Sequence, residues 1–254
     1  MKLFDLTGRV AVITGTSRGI GRELAHGFAA AGARVVGCAR TYEAAEKTAA
    51  ELRNLGHDTL PVLADVATPE GADAVIAAAV RRYGRLDILV CNAGVNVKKK
   101  AIDFTPAEFD TVISGNLKSY FLTAQAAARQ FIAQGGGGVI VMNSSNASVA
   151  AFDGLTPYCA AKGGVDMLVR SLAAEWGPHG IRVNAFNPGY TKHAMTAEGQ
   201  AYLAEAEKQI AARTPLRRMA EMKEMVGPAL FLASDAASFV TGTILLADGG
   251  WCAQ

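Results

Sequence analysis

The sequence predicts an α/β fold, a doubly wound parallel sheet with helices on both faces, and three observations carry that prediction. Short β-branched runs alternate with longer alanine-rich segments of helical character along the chain. The runs read as continuous apolar stretches, Val10-Ala11-Val12-Ile13 most clearly, as strands buried on both faces do. The first run feeds a glycine-rich turn and then a helix, the opening of a βαβ unit. Such an order implies right-handed crossovers between parallel strands.

Taken in order, strands are expected at Arg9–Thr14, Arg34–Cys38, Thr59–Leu63, Leu86–Val90, Val139–Met142, Ile181–Phe186 and Thr243–Ala247. Helices are expected near Ile20–Ala31, Glu43–Leu55, Pro69–Tyr83, Pro106–Gln134, Pro157–Trp176 and Met222–Ser234. The low-complexity patch Gly135–Gly138 closes a long helix just before a strand, where glycine serves as cap and turn. No repeat or long linker divides the chain, so residues 1–254 read as one domain. Pro188–Arg218 lacks clear strand character and lies beyond the end of a strand, which makes it a candidate lid over a site.

Composition narrows the functional classes. Of 254 residues, 25 are Lys or Arg and 23 are Asp or Glu, and half of the chain is hydrophobic. That apolar content excludes disorder, and a formal net charge of +2 argues against a polyanion as the main partner. No run reaches the roughly 20 apolar residues needed to span a bilayer. Asp5 and Gly8 interrupt what would be the apolar core of a signal peptide, so a cytoplasmic location is expected. Cys38, Cys91, Cys159 and Cys252 are far apart, with no paired spacing for a metal or redox centre. Cys38 and Cys91 fall in apolar runs, where cysteine acts as a small buried hydrophobe.

The cofactor end of the chain is legible in Val10 to Gly21, a strand passing through Thr14-Gly15-Thr16-Ser17-Arg18-Gly19-Ile20-Gly21 into a helix. Glycines let backbone approach a pyrophosphate, and a helix N-terminus offers free N–H groups and positive potential. Gly15, Ser17, Arg18, Gly19, Ile20 and Gly21 are the dinucleotide candidates here. After the second strand comes Arg40, with no acid to hold the adenosine ribose hydroxyls. Arg18 and Arg40 therefore favour a 2′-phosphate, and NADP(H) over NAD(H); the alternative is two solvated surface arginines.

Chemistry is expected further along. Ser145 follows the fifth strand at the sheet edge where open α/β folds bind ligands. Thirteen residues later stands Tyr158, with Lys162 one helical turn on, so both project from one helix face. A free tyrosine titrates near pH ~10. A neighbouring ammonium and a positively charged nicotinamide both favour its phenolate. Ser145 can then hydrogen-bond a substrate oxygen while Tyr158 gives or takes its proton.

These motifs together resemble the short-chain dehydrogenase/reductase family over essentially the whole length. The matching residues are Thr14-Gly15 with Gly19 and Gly21, Asp65-Val66, Asn92-Ala93-Gly94, Asn116, Ser145, Tyr158 with Lys162, and Pro188-Gly189. The resemblance implies a Rossmann-like domain with a seven-stranded parallel sheet, and hydride transfer between NAD(P)(H) and a carbonyl or secondary alcohol. It assigns Tyr158 as general acid/base, Ser145 as the oxygen-orienting group, and Lys162 as holder of the nicotinamide ribose. Asn116 would support a water-linked proton relay; Asp65 and Val66 would contact the adenine, and Asn92, Ala93 and Gly94 would line the groove. The thirteen-residue spacing selects Ser145 over Ser144, and Asn143 and Asn146 read as turn and strand-end residues. Two positions depart from the family pattern: Cys91 stands where Asn is common, and His193 where a threonine often contacts the nicotinamide amide. Thr191 is the substitute candidate for that contact, and His193 either touches substrate or faces solvent.

Several segments, Pro157–Gly164, Ala174-Glu175-Trp176 and Asp248–Trp251 among them, resemble the family's sugar-acid and polyol dehydrogenases, gluconate 5-dehydrogenase included. Lys98-Lys99-Lys100 is either a solvated loop or the source of a cation for a substrate carboxylate or phosphate. Reduction of a 3-oxoacyl thioester on a carrier protein or coenzyme A is the alternative, although Gly135–Gly138 and His179 stand where carrier-docking arginines are expected. A cofactor-binding sensor or scaffold without catalysis is a third reading, disfavoured because Tyr158 and Lys162 are both present. Substrate selectivity should reside in Asn96–Phe104, Ala147–Thr156 and Tyr190–Arg213. Small residues along Pro106–Gln134 and Pro157–Trp176 allow close helix packing, and the resemblance implies a homodimer or homotetramer built there.

Overall fold

The computed structural model describes residues 2–192 and 197–253. Among them seven strands form one parallel sheet: β1 (Val10–Thr14), β2 (Arg34–Ala39), β3 (Thr59–Leu63), β4 (Ile88–Cys91), β5 (Gly138–Asn143), β6 (Ile181–Pro188) and β7 (Ile244–Ala247). Their spatial order is β3-β2-β1-β4-β5-β6-β7, so the chain winds outward from β1 and then returns to its other side. Every pairing is parallel, with Val10 opposite Arg34 and Ala11 opposite Ile88 in register. The reversal of winding opens a crevice beyond the C-terminal ends of β1 and β4, the place where such sheets bind ligands.

Eight helices are described: α1 (Gly19–Ala30), α2 (Tyr42–Asn54), α3 (Pro69–Tyr83), α4 (Pro106–Ile113), α5 (Ser119–Gln134), α6 (Thr156–Trp176), α7 (Ala197–Arg213) and α8 (Val226–Ala233). Successive residues of β1 point to opposite faces, which splits the core in two. Val10 and Val12 pack with Val75, Phe131, Val165 and Leu172 beneath α3, α5 and α6. Ala11 and Ile13 pack with Leu24, Phe28, Leu52 and Leu232 beneath α1, α2 and α8. Both faces of the central strands are thus dry, the physical reason that they read as unbroken apolar runs. Among the described residues no helix is long and apolar enough to cross a membrane.

Three departures from the sequence reading bear on the site. The helix expected over Pro106–Gln134 is interrupted by a π-helical turn at Ser114–Lys118, which widens the backbone around Asn116. The segment Pro188–Arg218, read as lacking clear strand character and as a candidate lid, contains α7; among its described side chains the buried apolar ones are Leu203, Ala206 and Ile210, too sparse a stripe to stand out. The expected Met222–Ser234 helix is a 3₁₀ turn at Met222–Met225 followed by α8. His193 lies outside the described residues.

Candidate active site

A cleft of about 940 Å³ runs across the C-terminal edge of the sheet, large for a small-molecule site. At one end it is lined by Gly15, Ser17, Arg18, Gly19, Ile20 and Gly21 of the glycine turn, by Arg40 after β2, and by Asp65 and Val66 after β3. Its middle is lined by Asn92, Ala93, Gly94 and Asn116, and its far side by Ser145, Tyr158, Lys162, Pro188, Gly189 and Thr191. These cofactor and catalytic candidates therefore lie on one surface, although they come from six separate strand ends and two helices.

The glycine turn is built for close approach. Gly15 has φ of 73° and sits against Ala93, whose Cα would be 2.8 Å from any added Cβ. A Cβ on Gly21 would overlap the Gly15 carbonyl and the Asn92 amide. Asn92 stitches this region together: its backbone N–H donates to Thr14 Oγ1 at 2.9 Å, and its side chain donates to the carbonyls of Thr14 and Gly15 at 3.0 and 3.1 Å. Asn92 acts on the shape of the turn through these bonds. Helix α1 begins without a side-chain cap and without an acid in its first turn, while its first residues line the cleft. Open N–H groups at a helix start, held against a glycine turn, fit a pyrophosphate. Arg18 and Arg40 share that end of the cleft, so the residues present fit a 2′-phosphorylated dinucleotide.

The chemistry end is deeper. Ser145 lies just past β5, and the Ala147 N–H donates to its Oγ at 3.1 Å. Tyr158 is 8% exposed on the first turn of α6. Burial pushes its phenol up to about 12, with the neighbouring Ser145 hydroxyl pulling the other way. Within the chain's own groups, therefore, the Lys162 ammonium does not outweigh desolvation of the phenol. Lys162 is 3% exposed, and burial lowers its own pKa to about 7, opposed by the charge of Asp166. Its Nζ donates to the Asn143 carbonyl at 2.8 Å and lies 5.6 Å from the Tyr158 ring centre. Ser144, the rejected neighbour, is buried and donates to the Lys162 carbonyl at 3.2 Å, which ties β5 to α6.

Asn116 owes its position to the π-helical turn. Its amide nitrogen donates to the Val95 carbonyl at 2.7 Å and to the Val112 carbonyl at 2.8 Å, crosslinking the loop after β4 to α4. Its fully buried Oδ1 has no partner among the described residues and faces Gly94, where a Cβ would come within 2.7 Å. A buried amide oxygen in that situation is an acceptor for a bound hydroxyl or water.

The substrate end brings together groups from the segments expected to set selectivity and from the C-terminal turn, a meeting that the sequence did not disclose. Phe152, Tyr190 and Trp251 form an aromatic cluster with ring centres 5.1–6.3 Å apart. Trp251 is brought there by a turn after β7, in which Asp248 accepts from the N–H groups of Gly250 and Cys252, both at 2.9 Å. Nothing in the spacing of Trp251 announced this; only the Asp-Gly-Gly turn ahead of it carries a local signal. Arg213, at the end of α7, lies over the Trp251 ring at 4.6 Å, and Lys98 lies over the Tyr202 ring at 3.5 Å. The other two members of the lysine run are turned elsewhere: Lys99 pairs with Glu108 at 2.7 Å and Lys100 with Asp153 at 2.7 Å. Of the three lysines, Lys98 is the one that lines the cleft.

Residues 15–252 match the family model described as enoyl-(acyl carrier protein) reductase. The chain is 38% identical to 2-dehydro-3-deoxy-D-gluconate 5-dehydrogenase of Escherichia coli K12, covering 100% of this chain and 99% of that protein. It is 36% identical to gluconate 5-dehydrogenase of Gluconobacter oxydans, covering 98% and 96%. In structure it is similar to a gluconate 5-dehydrogenase from Burkholderia cenocepacia crystallised with NADP and tartrate, with a TM-score of 0.94, 37% identity, and coverage of 100% and 98%.

Proposed function

The chain belongs to the short-chain dehydrogenase/reductase family, and on that premise we propose that it is an NADP(H)-dependent oxidoreductase interconverting a ketone and a secondary alcohol on a sugar acid or related polyol. The observation that carries this reading is one cleft joining a phosphate-type helix terminus with two arginines, a Ser145–Tyr158–Lys162 cluster, and two further cations beyond it. A nicotinamide cofactor supplies hydride transfer there; Gly15, Ser17, Gly19, Ile20 and Gly21 would hold its pyrophosphate, Arg18 and Arg40 its 2′-phosphate, and Asp65 and Val66 its adenine. Pro188, Gly189 and Thr191 would flank the nicotinamide, with Lys162 on the ribose. The E. coli and G. oxydans relatives are named for gluconate derivatives, and the B. cenocepacia structure holds NADP.

In the reductive direction Ser145 donates a hydrogen bond to the substrate oxygen and fixes it beside the Tyr158 hydroxyl. Tyr158 gives its proton to that oxygen as negative charge builds on it. The phenolate left behind is stabilised by the Lys162 ammonium, and Asn116 Oδ1 receives the hydroxyl or water through which the proton is restored. Burial around Tyr158 serves this direction, since a phenol reluctant to ionise unaided keeps its proton until the oxygen beside it becomes basic.

Acid recognition falls to Arg213 and Lys98. A planar guanidinium stacked on Trp251 is suited to bidentate contact with a carboxylate, and the aromatic cluster offers apolar faces to sugar C–H groups. Arg213→Ala should raise KM for a keto-sugar acid about tenfold and leave KM for an uncharged keto-polyol unchanged. Equal KM values for both in parent and variant would refute the acid preference. The description of the matching family model favours one second reading, reduction of an acyl thioester; turnover of an acetoacetyl thioester in preference to sugar acids would select it. The chain is further proposed to act as one cytoplasmic cofactor-binding domain, with residues 188–218 covering the substrate. Phe121 and Ile132 on α5 and Met167 on α6 are exposed, which supports assembly into a homodimer or homotetramer, and sedimentation at the mass of one chain would refute it.

A further inference from the structure

We propose that Tyr120 is a positioning residue for Lys162, its hydroxyl accepting a hydrogen bond from the ammonium and fixing it at the floor of the cleft. Tyr120 lies on the first turn of α5, is 1% exposed, and is the largest of the fully buried side chains among the described residues. It does not line the cleft, so it acts on the cofactor site through the lining residues it touches, Lys162 and Asn143.

Three polar atoms close a triangle. Lys162 Nζ donates to the Asn143 carbonyl at 2.8 Å and to Tyr120 Oη at 3.3 Å, while Tyr120 Oη donates its own proton to the same carbonyl at 2.9 Å. That second bond orients the phenol: with its proton held by Asn143, the oxygen presents a lone pair to the ammonium. The ring adds a further attraction, since Nζ lies 4.7 Å from its centre. Two of the three ammonium N–H groups are thereby fixed below the cleft, which leaves the third for the cofactor side.

The surroundings make this contact consequential. Lys162 faces Asp166 and Tyr158 on its own helix, Tyr120 from α5, Cys91 from β4 and the Asn143 carbonyl from β5. Burial pushes both the Tyr120 phenol and the Cys91 thiol upward, so both stay neutral through the neutral range. Asp166 raises the proton affinity of Lys162, but one of its oxygens is engaged by the Asn187 amide at 3.0 Å. Retaining a charge on a lysine this deeply buried therefore depends on Asp166 and on the acceptors that touch Nζ. Cys91 occupies the place where the family resemblance leads one to expect asparagine. Its sulfur lies 4.0 Å from the Tyr120 carbonyl, so a compact, weakly polar side chain abuts the Tyr120 backbone while the hydroxyl supplies the polar contact to Lys162.

The test reads the lysine itself. Titration of the Lys162 amine by NMR on lysine-labelled protein, with Tyr120→Phe beside the parent, isolates the hydroxyl because the ring and its packing are retained. Loss of one acceptor to a charged group should lower the Lys162 pKa by about one unit. Cys91→Ala, which loosens the same region but keeps the hydroxyl, should shift it by clearly less. A Tyr120→Phe shift below about 0.2 unit, or an equal shift in Cys91→Ala, would overturn the proposal. The consequence for the cofactor rests on the proposed role of Lys162 at the nicotinamide ribose. NADPH affinity, followed by fluorescence across the same pH range, should weaken as Lys162 loses its proton, and in Tyr120→Phe that onset should fall about one unit lower. A shifted lysine titration with NADPH affinity indifferent to it would uphold the positioning by Tyr120 and refute Lys162 as a cofactor ligand.

Discussion

Replacing Arg40 with alanine probes cofactor choice by removing one of the two charges that favour the 2′-phosphate. Arg40 directly follows β2, is exposed, and lines the adenosine end of the cleft together with Arg18. A hydrogen bond between a guanidinium and a phosphate contributes about 1.5–3 kcal/mol net, and solvent screening at an exposed site holds it to the lower end. A loss of about 1.4 kcal/mol is about a tenfold rise in Kd. NADH lacks the 2′-phosphate, so its Kd should change by less than about twofold and serves as the internal control. Fluorescence titration of both reduced cofactors against parent and variant measures the difference, and Arg18→Ala should act in the same sense. An equal loss for NADH and NADPH would show that Arg40 shapes the pocket generally; no loss for either would show that it is a solvated surface residue. Either result refutes the charge argument.

Two other perturbations follow from the packing and the burial. Gly21→Ala forces a methyl group into the Gly15 carbonyl and the Asn92 amide, both fixed by the turn, so it should destabilise the fold by about 1–3 kcal/mol and weaken both cofactors together; thermal unfolding at the parental Tm would refute that tight fit. The Lys162 pKa is lowered by burial from 10.5 to about 7, so between those values the unfolded chain binds the extra proton. Stability from this group is accordingly gained as pH rises from about 7 towards about 10.5 and lost as it falls back. Denaturant unfolding of Lys162→Met across that window should lose this slope, and an unchanged slope would contradict the burial argument.

What the sequence disclosed and what it hid follow from the range of the interactions involved. Central strands buried on both faces write their position as apolar runs, and all seven strands, the half-exposed edges Thr59–Leu63 and Ile244–Ala247 included, were legible to within a few residues. Gly15, Gly21, Tyr158 and Lys162 were legible because their chemistry depends on local spacing along a turn or one helix face. The π-helical turn at Asn116 was not, because its extra residue leaves the neighbouring residue types helical in character. Helix α7 was hidden by its thin apolar face, Leu203, Ala206 and Ile210 among the described side chains. The lysine run was ambiguous because its partners Glu108 and Asp153 lie 9 and 53 residues away, and no local pattern pairs them. Trp251, Phe152 and Tyr190 meet only because β5, β6 and β7 end side by side, and that is a property of the sheet rather than of any segment.

Steady-state oxidation of NADPH, with NADH as control, against keto-sugar acids, keto-polyols and an acetoacetyl thioester tests the central claim most directly when parent and Tyr158→Phe are run side by side. The account predicts turnover of a keto-sugar acid by the parent with NADPH preferred, and a loss of about a thousandfold in Tyr158→Phe with NADPH binding intact. Turnover in Tyr158→Phe within about tenfold of the parent would contradict it, because the proton would then come from elsewhere.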